Sequence, residues 1–141
     1  MNRDVLVSMN GLQVVEGTDD TVEVITVGEY YYVNGKHYII YEDVDEDNGE
    51  KTKNTIKVSS ESIEVKKKGY VNTNMIFEKE KINKSYYSTP FGDMAVEIDT
   101  NEIEIAEEEN EIEIKVDYAL LVNAQPMSNC AIRILVKGLE R

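Results

Sequence analysis

A chain of 141 residues is the size of one domain, expected over residues 1–141, and is long enough to bury a core without disulfides or a structural metal. Its hydrophobic fraction of 41% suits a globular protein, while a formal net charge of -13 repels nucleic acid and anionic membrane surfaces at long range. These figures exclude DNA or RNA binding through the whole surface.

Along the chain the opening residues Met1-Asn2-Arg3-Asp4 run straight into Val5, Leu6 and Val7, without the apolar core and cleavage site of a signal peptide. No stretch reaches the roughly 20 apolar residues of a membrane-spanning helix. A single cysteine, Cys130, forms no internal disulfide, so a reducing cytoplasm is the expected compartment. Strands are expected over Asp4 to Val15 and Thr21 to Val33, joined by the Gly- and Asp-rich turn Glu16 to Asp20.

Asn34-Gly35 is the strongest hairpin signal, because a type I′ turn needs positive φ at both central residues. That turn sets Val33 opposite Lys36, Tyr32 opposite His37, Tyr31 opposite Tyr38, Tyr30 opposite Ile39 and Gly28 opposite Tyr41. One face then carries Val22, Val24, Gly28, Tyr30, Tyr32, Ile39 and Tyr41 and is expected to point inward; Glu23, Glu29 and Lys36 take the other. Tyr41 beside Gly28 reads as an aromatic ring covering a strand glycine where a sheet bends.

After the acidic loop Asp43 to Glu50, strands are expected near Thr52 to Val58, Ser62 to Lys67 and Val71 to Glu78, with a further strand before Pro90. One helical turn around Lys79 to Asn83 is compatible with the pattern. Met94, Val96 and Ile98 form the next strand, followed by a turn near Thr100-Asn101 and a short strand at Ile103 and Ile105. From Ile112 to Val122 the apolar residues Ile112, Ile114, Val116, Tyr118, Leu120 and Val122 fall on every second position, which is strand periodicity. Met127 to Lys137 pairs back onto that strand after Gln125-Pro126. Nine or ten short strands in one domain do best by closing, since closure removes exposed edges.

Charge is segregated: residues 51–84 hold nine lysines against four acids, whereas the flanking segments are acidic. Lys66, Lys67 and Lys68 are therefore a candidate interaction patch, suited to an acidic surface on a second copy or a protein partner.

Catalytic and metal motifs are weak. Asp43, Asp45 and Asp47 start like a calcium loop, but Asn48 stands where that loop needs glycine and Asn54 where it needs glutamate. His37 is the sole histidine, so a multi-histidine zinc site is impossible within one chain, and Cys130 at a strand entry reads as a small buried hydrophobe. Asn83-Lys84-Ser85 matches a glycosylation acceptor, which has no physical meaning without a secretory signal. Phosphate loops, dinucleotide fingerprints and serine elbows are missing, and no cofactor is implied.

The succession Tyr30-Tyr31-Tyr32-Val33, Tyr38-Ile39-Ile40-Tyr41-Glu42, Thr55-Ile56-Lys57-Val58, Tyr87-Ser88-Thr89-Pro90-Phe91-Gly92-Asp93-Met94 and Ile112-Glu113-Ile114-Lys115-Val116-Asp117-Tyr118 resembles the YwiB-like family of small bacterial proteins of unknown function. The resemblance runs from about Val5 to Val136. It implies an all-β, antiparallel up-and-down barrel of the calycin or lipocalin-like type, with about eight to ten strands, and implies no reaction. The chain has no tryptophan, so the G-x-W signature of secreted lipocalins is absent, and fold alone does not transfer lipid carriage. The resulting expectation is a noncatalytic barrel holding an unidentified small molecule in its interior or mouth, against Tyr30, Tyr32, Ile39, Tyr41 and Phe77. The alternative is a filled barrel serving as an interaction or self-association module, either as a homodimer or with a protein partner.

Overall fold

The computed structural model describes residues 3–11, 23–45 and 47–139. Among them there is no helix, and hence none long and apolar enough to cross a membrane. Ten antiparallel strands close into a barrel: β1 (Asp4–Asn10), β2 (Glu23–Val33), β3 (Lys36–Val44), β4 (Lys51–Val58), β5 (Ser62–Gly69), β6 (Asn72–Glu78), β7 (Ile82–Thr89), β8 (Gly92–Glu108), β9 (Glu111–Val122) and β10 (Gln125–Gly138). Each strand pairs with its successor in sequence, and β1 closes the ring against β10. This is the up-and-down barrel that the alternation and the family resemblance imply. Of the first two expected strands, the ladders hold Asp4–Asn10 and Glu23–Val33. The Glu16 to Asp20 turn, Val22 and the side chain of Val24 lie outside the described residues.

Turn chemistry sets the registers. Asn34 and Gly35 have φ values of 53° and 76°, and the ladder beyond them pairs Val33 with Lys36, Tyr32 with His37, Tyr31 with Tyr38 and Tyr30 with Ile39. At Gly28 a Cβ would come within 2.7 Å of the Ile40 carbonyl oxygen and 3.3 Å of Tyr41 Cβ, so the close approach requires glycine.

Three expectations are corrected. The turn after β9 falls at Asn123 and Ala124, both at positive φ, and not at Gln125-Pro126; proline instead sits at a bulge between Pro126 and Ser128. Residues 79–81 form a tight turn with Glu80 at φ 61° rather than a helical turn. The two short strands expected around Thr100-Asn101 are one strand, because Asn101 is accommodated as a bulge between the pairs Thr100–Tyr118 and Glu102–Asp117.

The waist of the barrel is filled. Ile39, Ile56, Ile63, Val65, Met75, Phe77, Ile98, Ile112, Ile114, Tyr118 and Ile134 are buried, and the Phe77 and Tyr118 rings meet edge to face at 5.0 Å. Full burial of a side chain of this kind contributes roughly 1.5–3 kcal/mol, so this packing is the main source of stability. Among the described residues, the buried atoms Asn83 Nδ2 and Thr100 Oγ1 have no hydrogen-bond partner.

One seam is thin. Although β6 and β7 are joined by a short turn, their ladder registers at Asn72–Ser88 and Thr73–Tyr87 alone. Farther along, the Ser85 hydroxyl donates to the Asn74 carbonyl at 2.6 Å, so a side chain supplies a link that backbone groups make elsewhere.

Candidate functional site

With the waist occupied, the interior wall is reached from its two mouths. Toward the end where β3 meets β4, the inward row of the wall changes from aliphatic to polar. Cross-strand pairing sets Tyr41 beside Asn54, Asn54 beside Lys67, Lys67 beside Thr73, Thr73 beside Tyr87 and Tyr87 beside Met94. Strand alternation dictates this row. Ile56 and Val58 face inward on β4 and so does Asn54; Ile63 and Val65 face inward on β5 and so does Lys67.

Lys67 carries the chemistry. Its side chain is 12% exposed, and its ammonium donates to Asn54 Oδ1 at 2.6 Å and to Asp43 Oδ2 at 3.5 Å. Asn54, fully buried, donates from Nδ2 to Asp43 Oδ2 at 2.8 Å and to the Thr52 carbonyl at 3.3 Å. Burial pushes the Lys67 ammonium below its ordinary pKa, and the neighbouring Asp43 carboxylate acts against that shift. Tyr41 is pushed well up, chiefly by burial and secondarily by Asp43; Tyr87 moves the same way for the same two reasons. Tyr41 Oη donates to the Met9 sulfur at 3.9 Å, a weak partner. Asp43, the most exposed member, opens the group to solvent.

The opposite mouth is built differently. Beyond Asn101, β8 extends past the start of β7, and among the described residues β9 alone pairs with it there. The arm is tied across the opening by His37, whose Nε2–H donates to Glu107 at 2.6 Å while Nδ1 lies 2.6 Å from Tyr30 Oη. Between the arm and the turns at Ser59–Ser62 and Glu78–Lys81 lies a cleft of about 740 Å³, with Ile103 and Ile105 on one wall.

The residues expected to form one aromatic wall are separated. Tyr41 belongs to the Lys67 row; Tyr30 is partly buried at the His37 mouth; Ile39 and Phe77 are sealed in the waist. Tyr32, expected inward, is 62% exposed, because it stands at the hairpin tip where the wall ends; its ring packs on His37 at 4.9 Å. The lysine triplet also divides: Lys66 and Lys68 are exposed on the outer wall, with Lys68 paired beside Lys53, whereas Lys67 points inward. A continuous patch of all three is incompatible with strand alternation.

No motif in the sequence groups Asp43, Asn54, Thr73 and Tyr87 with Lys67; the signal that turns Asn54 and Lys67 inward is their parity with Ile56 and Val65. The calcium-like loop is otherwise engaged: Asp45 Oδ1 accepts from the Asp47 and Asn48 amides, and Asp43 turns to Asn54. Among the described residues no three His, Cys, Asp or Glu side chains converge as metal ligands would.

A family model described as "Domain of unknown function (DUF1934)" matches residues 7–134, and the chain belongs to that family. It is similar in fold to the crystal structure of the YwiB protein from Bacillus subtilis, with a TM-score of 0.76 and 23% identity, over 97% of this chain and 91% of that one. A search of curated proteins finds no match.

Proposed function

We propose that this member of a family without assigned function is a noncatalytic barrel that binds a small polar molecule at the Lys67 mouth. The observation that carries the reading is a lysine turned into the barrel end, 12% exposed and gripped by Asn54 and Asp43. Lysine is among the residues least often buried, because desolvating an ammonium is costly. A methionine would fill the same space more cheaply, so the charge argues for a recognition role.

The ligand chemistry follows from the donors. Two of the three N–H groups of Lys67 are engaged by Asn54 and Asp43, which leaves one to direct at a carboxylate or carbonyl oxygen. Tyr41, Tyr87 and Met94 supply an apolar and aromatic flank in the same row. Few oriented polar groups beside apolar walls is the usual composition of a small-molecule site.

Native mass spectrometry of gently purified protein, compared with its denatured mass, tests this directly. Extra noncovalent mass is expected on the wild type and not on folded Lys67→Met, with a reduced fraction on Tyr41→Ala. A bare wild type, or a ligand retained equally by Lys67→Met, would overturn the assignment of this mouth.

A further inference from the structure

We infer that the free edge of β8 from Glu102 to Glu108 is a docking site for an extended basic polypeptide, which adds to the barrel wall as a further strand. This site is at the mouth opposite Lys67 and does not depend on the small-molecule reading.

The edge is defined by where the ladders stop. On one side β8 pairs with β9 as far as Glu108–Glu111; on the other its ladder with β7 ends at Ile82–Asp99. A last pair of bonds, Glu80 N–H to the Thr100 carbonyl at 2.9 Å and Thr100 N–H to the Lys81 carbonyl at 3.2 Å, closes that side. From Glu102 onward no strand among the described residues pairs there. The segment spans seven residues, or roughly 20 Å at about 3.3 Å per residue, and an unpaired edge of that length is a template for strand addition.

Space and apolar surface are present on the same side. The cleft of about 740 Å³ runs beside the edge, and Ile103 and Ile105 line it half-buried, whereas their cross-strand neighbours Val116 and Ile114 are fully buried. Both isoleucines lack the cover that a neighbouring strand would give.

Charge selects the occupant. Glu102, Glu104 and Glu108 alternate with the isoleucine row and are exposed. Lys79 approaches Glu102 at 3.3 Å, while Glu104 and Glu108 have no ion-pair partner among the described residues. Two copies paired through this edge would set these carboxylates against each other, which disfavours a second copy of this acidic chain. A strand with lysine or arginine facing outward and valine or isoleucine facing the cleft satisfies both rows.

The probe is a labelled, acetylated seven-residue peptide alternating lysine and valine, titrated into the whole protein at physiological salt and followed by fluorescence anisotropy and amide hydrogen exchange. Binding is expected to slow exchange at Glu102–Glu108. N-methylation of alternate peptide residues keeps charge and apolar surface but removes strand hydrogen bonds, and should weaken binding by at least about tenfold. Ile105→Lys should do the same, and the exposed Glu104→Lys offers a second variant should the first unfold. Equal affinity for the N-methylated peptide would reduce the interaction to general attraction toward an acidic protein. That result, protection confined to other strands, self-association through this edge, or no binding would each overturn the inference.

Discussion

At the Lys67 mouth the ladders run to the rim, and side chains from successive strands close the end through a charged, hydrogen-bonded group. At the His37 mouth the ladder beside β8 runs out, and an arm held through one imidazole closes the opening over a cleft. The difference separates two ways in which a filled barrel can recognise something. A complete wall leaves recognition to side chains and suits a small molecule, whereas an incomplete wall offers backbone groups and suits a chain.

If the Lys67 group is one coupled unit, its sharpest probe is Asn54→Leu, which removes the partner at 2.6 Å and leaves Asp43 at 3.5 Å. Removing the neutral acceptor of a buried ammonium in this way should lower the unfolding free energy by roughly 1.5–3 kcal/mol in urea titrations. The matching change at the other mouth, Lys79→Ala, breaks an exposed ion pair with Glu102 and should change stability by about 0–1 kcal/mol. Equal effects at the two mouths would erase the distinction.

An intermediate effect is expected at alkaline pH. Burial raises Tyr41 and Tyr118, so the folded protein keeps protons that the unfolded chain surrenders above about pH 10. Their contribution is complete below that pH and is lost as pH rises further. Lys67 acts in the opposite sense: its folded pKa is lowered, so between that value and its unfolded pKa stability rises with pH. Melting temperatures measured from about pH 8 to 11 should therefore fall more steeply for Lys67→Met than for the wild type. Parallel curves would mean that the lysine reaches water when folded.

A smaller and local effect belongs to the arm. His37→Ala removes the link to Glu107 and should cost roughly 0.5–1.5 kcal/mol. Amide exchange should accelerate along residues 102–111 while the row from Tyr41 to Tyr87 stays protected. Uniform acceleration would show that the two mouths are not independent.

Much of the barrel was legible because its signals are local. Asn34-Gly35 sets the β2–β3 register through backbone conformation, and alternation from Ile112 to Val122 gives β9 its buried face. Parity assigns a face but not a depth, which is why Tyr32 shares a face with Tyr30 yet stands exposed at a tip. The lysine triplet is a run of like charge in sequence, whereas alternation on β5 separates Lys67 from its neighbours in space. The bond from His37 to Glu107 joins residues 70 apart in the chain and depends on how far β8 overshoots β7, a long-range property that no short window encodes.

The thin seam between β6 and β7 has a mechanical meaning for the polar mouth. Its two backbone pairs sit at that end, and one of them, Thr73–Tyr87, belongs to the Lys67 row itself. A ring of continuous ladders resists any change of girth, whereas a ring with one such slit widens there first, as at an expansion joint. The two pairs stitch the seam at the polar rim and leave it unpaired from Asn74 toward the turn at residues 79–81, so the joint gives on the side away from Lys67, and the rim keeps its girth with Tyr87 held in the row.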